Sequence, residues 1–209
     1  MADISPGQFP QDPSIASVKF RSVTPIIRSE TTAGKVRRVA QGHTYFTFEI
    51  TYPPLTPVDL GEVTGFLAAT MHGQYSFEIV LPRLSSSKAP FGSVANANIR
   101  CAGSVVSGQK YVRLTNCGSQ RTVLYAGDFF KFNTSTHSKV YMVTTDCVSD
   151  TSGNANVQIG GSVLANVVNN TTLITTNVPF TVVLEEPEQA FDSGYGGITT
   201  MTINMRETW

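Results

Sequence analysis

Charge is what this 209-residue chain has least of. Lys and Arg total 15, Asp and Glu total 15, and together they make up only 14% of the residues. Without net charge there is no global positive field to draw in nucleic acid or an anionic membrane surface, so neither sequence-specific nucleic-acid binding nor membrane attachment is expected. A neutral particle also self-associates more readily. Cysteine is scarce as well: Cys101, Cys117 and Cys147 form no CxxC pair, and an odd number cannot all be matched within one chain, so free thiols are expected. The chain opens without a charged and then apolar leader, and no apolar run approaches the roughly 18 residues that a membrane span needs. These absences predict a soluble protein that is not exported by the usual signal. The sequons at Asn133, Asn169 and Asn170 carry little weight in a chain so rich in Asn and Thr.

Catalytic patterns are missing too. His43, His72 and His137 lie in separate segments without HxxxH spacing, which argues against a metal site. His137 and Ser138 stand near Asp128 and Asp146 in sequence, but there is no G-x-S-x-G elbow, and strand alternation sends adjacent residues to opposite faces. Glu185, Glu186, Glu188 and Asp192 form the densest acidic cluster. A glycosidase needs two carboxylates facing each other across a cleft, and Pro187 makes this run read as a solvated loop instead. The segment 146–156, DCVSDTSGNAN, lacks the alternating oxygen ligands and closing Glu of a calcium loop and reads as a hairpin turn. SGYGG (193–197) is not followed by a helix pattern and so is no phosphate loop. No enzymatic activity and no cofactor are expected.

What the chain does contain is Thr, Ser, Asn and Gly in abundance, arranged in strands and turns. Residues 1–17, with Pro6, Pro10 and Pro13, read as an extended arm of the kind that reaches a neighbour, and VKFRSV (18–23) begins the strand pattern. TYFTFEITY (44–52) puts Phe46, Phe48, Ile50 and Tyr52 on one face and Thr47, Glu49 and Thr51 on the other. YSFEIVL (75–81) alternates in the same way. ITTMTINMR (198–206) places Met201, Ile203 and Met205 inward.

One stretch reads as helix, over 56–72. Thr56 caps the first turn, Pro57 sits where a missing N–H costs nothing, and Asp59 lies at the positive end. Leu60, Val63, Phe66, Leu67 and Met71 form an apolar stripe that needs a sheet to cover, and Gly73 follows as a stop. Gly61 and Gly65 each cost roughly 1 kcal/mol against Ala, which suggests another backbone passing close on that side.

After Ser85, Ser86 and Ser87 the character changes to short strands separated by Gly, Asn and Ser, which marks a second module. Residues 127–159 read as strand, turn, long strand, Gly/Asn turn and strand, as in a small antiparallel barrel. PFTVVL (179–184) leads back to the first unit.

The order of a strand ending in YPPLT, a helix with one apolar stripe, HGQYSFEIVLP directly after it, and a closing strand on RETW resembles the distal-tail and minor-tail proteins of long-tailed bacteriophages. The resemblance covers residues 18–82 and 178–209. The run GDFFKF, HSKVYMVT, SGNA also resembles a module of phage tail and baseplate proteins. The resemblance implies a mainly β protein: a β-sandwich or barrel belt domain (18–84 and 178–209) with one α-helix packed on it, plus an inserted small antiparallel β-barrel domain (85–177). It further implies a homo-oligomeric ring, usually a hexamer, at the virion tail tip, made in the host cytoplasm and joining the tail tube to baseplate hub or fibre proteins.

One basic patch remains. GKVRRVAQGH (34–43) places Lys35 and Arg37 on one face of a strand, with Arg38 one step out of phase, as a possible subunit or partner interface that pairs with carboxylates or touches DNA in a tube. The runner-up reading is a carbohydrate-binding β module for host-surface attachment, with Tyr111, Tyr125, Tyr141, Tyr195 and Trp209 as stacking platforms. A hydrolase comes third, because no acid and base propose themselves.

Overall fold

The computed structural model describes residues 7–10, 13–32, 34–70, 73–88, 98–186, 192–193 and 199–209. In chain order the strands before the helix are β1 (Ser17–Val23), β2 (Ile26–Glu30), β3 (Val36–Ala40) and β4 (Tyr45–Thr51), followed by α1 (Pro57–Ala69) and β5 (Phe77–Ile79). The middle of the chain contributes β6 (Arg100–Cys101), β7 (Tyr111–Thr115), β8 (Thr122–Leu124), β9 (Phe129–Phe132), β10 (Val140–Met142), β11 (Cys147–Val148), β12 (Ala155–Gln158) and β13 (Leu173–Ile174). Last come β14 (Phe180–Leu184), β15 (Asp192–Ser193), β16 (Thr199–Thr200) and β17 (Thr202–Glu207). Among the described residues the protein is mainly β, with several open sheets and one helix.

The largest sheet has five strands in the order β1-β4-β17-β14-β5. Its centre is built by the alternation seen in the sequence: Phe46, Phe48, Ile50 and Tyr52 are buried, and so are Met201, Ile203 and Met205. In register, Ile203 lies opposite Ile50 and Met205 opposite Phe48, all antiparallel. The same hydrophobic cluster takes in Val63 and Leu67 of α1, with Leu60 and Phe66 packed partly buried against it. The helix therefore covers one apolar face of this sheet, as a lone amphipathic helix must if its stripe is to leave water.

The helix start is a capping box: the Asp59 N–H donates to Thr56 Oγ1, and the Asp59 carboxylate accepts from the Thr56 N–H. Its end lies at Ala69, with Thr70 as C-cap, while Met71 and His72 fall outside the described residues. Among the described residues the expected close backbone beside Gly61 and Gly65 is not found. A Cβ added at either would meet nothing within 4 Å, because both glycines face away from the core.

Gly73 is different. It holds φ +100°, and a Cβ there would lie 3.1 Å from the Leu184 carbonyl oxygen on β14. Gly73→Ala is expected to lower unfolding free energy by at least about 1–2 kcal/mol, the cost of a left-handed alanine alone. Chemical denaturation reads this, and an unchanged midpoint would contradict it.

Within the segment expected to reach a neighbour, residues 7–9 pair with their own chain. The Phe9 N–H donates to the Glu78 carbonyl at 2.7 Å, and the Glu78 N–H donates to the Gly7 carbonyl at 3.1 Å. Phe9 is buried, with its ring against Phe66 and Phe77. Residues 7–9 thereby shield the β5 edge of the sheet.

The middle strands form three small sheets, β10-β9-β13, β11-β8 and β12-β7-β6, around a second hydrophobic cluster that includes Val112, Leu114, Phe130, Phe132, Tyr141 and Val157. Among the described residues no sheet closes into the expected barrel. The strands are two to five residues long, single bridges such as Val143 to Ile159 link the pieces, and register shifts between Cys147 and Val148. The long strand expected after the HSK turn is cut into β10 and β11.

The two clusters meet along β9 and β10. Phe129 and Val140, from the middle of the chain, belong to the first cluster, while their neighbours Phe130 and Tyr141 belong to the second. Strand alternation on a shared strand is what divides them.

Candidate functional site

The basic patch stands on a hairpin. Among the described residues β2 and β3 pair with each other alone, and every residue of both strands is exposed. Cross-strand register sets Ile27 opposite Val39 and Ser29 opposite Arg37, while Ile26 faces Ala40 and Arg28 faces Arg38. Because faces alternate, one side shows Ile27, Val39, Ser29 and Arg37, and the other shows Ile26, Ala40, Arg28, Arg38, Glu30 and Val36. Arg37 and Arg38 thus look in opposite directions. Lys35 precedes the strand, in the connecting turn, where its N–H donates to Thr31 Oγ1.

Each face combines aliphatic side chains with unpaired cations. Ile26 is 54% exposed and Val39 64% exposed, values far from those of the core. Among the described residues Lys35, Arg37 and Arg38 carry no ion pair; the salt bridge on the hairpin joins Arg28 to Glu30 at 3.6 Å. Arg28 directly opposite Arg38 is a like-charge pair that costs stability unless an anion comes between or beside them.

A polar centre that sequence reasoning missed lies where the clusters meet. Lys139 Nζ donates to Glu207 Oε2 at 2.5 Å, and the carboxylate also accepts from the Phe46 N–H at 3.2 Å and, through Oε1, from the Val140 N–H at 2.9 Å. Both side chains are almost fully buried. The ammonium also stands 4.6 Å from the Trp209 ring centroid and 5.1 Å from that of Phe46. Burial pushes the Glu207 carboxyl upward and Lys139 downward, each toward its neutral form, while their pairing and the two backbone N–H groups oppose that drift. A second tie of the same sense, Lys131 Nζ to Glu78 Oε1 at 3.0 Å, joins β9 to β5. The signal was available: alternation continued one step past Met205 puts Glu207 inside.

The catalytic candidates are not brought together. Asp128 accepts from Ser87 Oγ, the Lys88 N–H and the Tyr125 N–H, and Asp146 accepts from the Ala126 N–H. His137 is buried against Phe132 and Tyr141 with both ring nitrogens unpaired among the described residues, and burial with Lys131 and Lys139 nearby lowers its pKa. Asp150 Oδ1 accepts from the Ser152 and Asn154 N–H groups, closing the expected hairpin turn. Glu185 and Glu186 are exposed; Glu188 lies outside the described residues, as does the side chain of Asp192. Among the described residues no three His, Cys, Asp or Glu side chains gather as a metal site would require. No described helix is long and apolar enough to cross a membrane.

The three cysteines are unpaired, and burial raises the thiols of Cys101 and Cys147 to about 11 and Cys117 to about 12, which keeps them protonated and unreactive near neutral pH. Of the proposed stacking residues, Tyr141 is buried with its hydroxyl oxygen accepting from the Leu164 N–H, so it offers no platform. Trp209 lies over Lys139, Tyr125 is half-buried, and Tyr195 is outside the described residues. Tyr111 is 48% exposed on the outer face of β7.

Residues 7–84, which hold β1 to β5, the helix and the hairpin, match the family model described as distal tail protein pb9, A domain, N-terminal. No curated protein matches the chain.

Proposed function

We propose, taking this chain as a tailed-phage distal tail protein from its match over residues 7–84, that it forms a hexameric ring at the tail tip, held together in part by the β2–β3 hairpin. In this reading 18–84 with 178–209 is the belt that closes the ring, and 85–177 is an insertion carried on it. The ring joins the tail tube to the baseplate hub or fibres, and the protein is made in the host cytoplasm before it enters the virion tail.

The observation that carries the ring is the hairpin. An isolated two-stranded hairpin is marginal in water, and this one keeps four large aliphatic residues exposed, Ile26, Ile27, Val36 and Val39, with no sheet beneath them among the described residues. Apolar residues clustered on a projecting element mark an interaction site. A head-to-tail contact, in which the hairpin of one copy seats on a different surface of the next, generates a closed ring when the rotation closes. Lys35, Arg37 and Arg38 would then meet carboxylates of the neighbouring copy.

Light scattering behind size exclusion tests this. The native chain is expected to run as a ring, or to form one when tail-tube protein is added, and rising salt is expected to weaken it. Ile27→Glu with Val39→Lys should leave a folded monomer, since both sites are solvent-exposed, the two new charges stand opposite each other as an attractive cross-strand pair, and such surface substitutions cost within about 0.5 kcal/mol of fold stability. A ring that survives the double substitution would remove the hairpin from the contact, and a native chain monomeric in both conditions would end the ring reading.

A further inference from the structure

We infer that the outer face of the β6-β7-β12 sheet, in the middle of the chain, is a binding surface for an acidic polysaccharide, one whose sugars carry carboxylates. The inference does not rest on the ring.

The face is built by register. β12 pairs with β7 so that Gln158 lies opposite Tyr111 and Asn156 opposite Arg113. These four residues alternate with Val112, Val157, Leu114 and Ala155, which are buried in the second cluster. The outer side chains therefore form a compact quartet of one aromatic ring, one guanidinium and two amides, all exposed. None has a side-chain hydrogen bond or ion pair among the described residues. Beside Tyr111 and Arg113 the surface dips into a hollow of about 270 Å³ that Gly103, Ser104 and Gln109 also line. Gln109 is held in place, its Oε1 accepting from the Val106 N–H at 3.1 Å.

The chemistry of this set selects its ligand. A flat ring offers its face to the C–H side of a sugar, and planar amides give paired donors and acceptors suited to vicinal hydroxyls. Arg113 adds a fork that fits a carboxylate, and among the described residues it makes no ion pair. Between Asn98 and Gly127 the chain carries Arg100, Lys110, Arg113 and Arg121 and not a single Asp or Glu, although the whole chain is neutral. Charge complementarity thus favours an anionic partner. Cations this sparse, set among amides, suit a hydroxyl-rich chain with an occasional carboxylate better than a phosphate backbone, which calls for dense Lys and Arg.

The test uses the full chain on an array of bacterial surface polysaccharides with and without uronic acids, followed by calorimetry with hexagalacturonate, maltohexaose and an oligo(dT) of similar length. Uronate-bearing chains are expected to bind, and hexagalacturonate at least tenfold more tightly than maltohexaose. Tyr111→Ala should lose about tenfold or more for the best array ligand. Arg113→Gln should reduce binding of acidic chains to the level of neutral ones while leaving the thermal midpoint unchanged. Binding that survives Tyr111→Ala would overturn the site, as would an array without a saccharide ligand. Oligo(dT) bound more tightly than every saccharide would make the face a nucleic-acid surface instead.

Discussion

Lys139→Met is expected to lower the unfolding free energy by about 3–5 kcal/mol, the largest loss from any polar substitution in the protein. The cause is what stays behind. Glu207 would keep its place in the core with only the Phe46 and Val140 N–H groups as partners, and a buried carboxylate without its cation is strongly penalised. Replacing both partners, Lys139→Met with Glu207→Leu, should recover most of the loss, since a well-packed apolar pair often equals a buried ion pair. The single variant also gains a pH signature. Burial already raises the Glu207 carboxyl, and removing the ammonium raises it further. A carboxyl whose folded pKa lies above its unfolded value stabilises the fold below the unfolded pKa, and that stability is lost as pH rises through the folded pKa. Lys139→Met should therefore approach native stability in mild acid and fall behind as pH rises toward neutral. Urea denaturation across pH measures both effects; a loss of less than about 1 kcal/mol at neutral pH, as for an exposed pair, would contradict them.

Phe129→Ala is expected to cost about 3–5 kcal/mol and to loosen a place remote in sequence. Its ring meets Phe20, Phe46 and Phe180 with centroids 5.4 to 5.5 Å apart, in edge-on arrangements. Those partners sit on β1, β4 and β14, so deleting the ring opens a cavity in the first cluster. Phe130→Ala, one residue on, opens the second cluster instead, where Phe130 packs on Phe132 and Tyr141. Hydrogen exchange read by mass spectrometry separates the two: Phe129→Ala should speed exchange in β4 and β14, and Phe130→Ala in β10 and β7. The same exchange pattern from both variants would refute the division of the core between adjacent residues.

Local physics was written plainly in this chain wherever one residue answers to its nearest neighbours. Alternation in 44–52 and 198–206 marked the buried faces because a sheet with one covered side repeats every two residues. Thr56, Pro57 and Asp59 marked the helix start because capping is satisfied within one turn. Apart from the broken strand after Ser138 and the place of Lys35 in a turn, the misreadings concern what lies across space. Gly61 and Gly65 carry a propensity cost, but a cost says nothing about direction, and both look outward. The proline-rich opening reads as extended, yet only tertiary structure shows that Phe9 fills its own core. The basic patch was legible as charge on a strand; that its hairpin stands free of every other described sheet was not, since which strands join a sheet is settled by partners distant in sequence. Lys139 and Glu207 escaped notice because charged residues are normally assigned to the surface, and pairing across 68 positions leaves no local trace.

The sheet order has a consequence for how the molecule is made. β17 lies between β4 and β14, yet it leaves the ribosome after all the strands it must join. Until it arrives, β4 has an open edge of unpaired backbone groups, and the face that carries Phe46, Phe48 and Ile50 is incompletely covered, whereas the strands between Arg100 and Ile174 already have their partners within reach. The nascent chain thus completes its middle first and holds its earliest strands waiting, a long-range closure of the kind that folds slowly and exposes sticky edges meanwhile. Translation that stalls before Thr202 would release a product with a finished centre and an unsealed, aggregation-prone beginning.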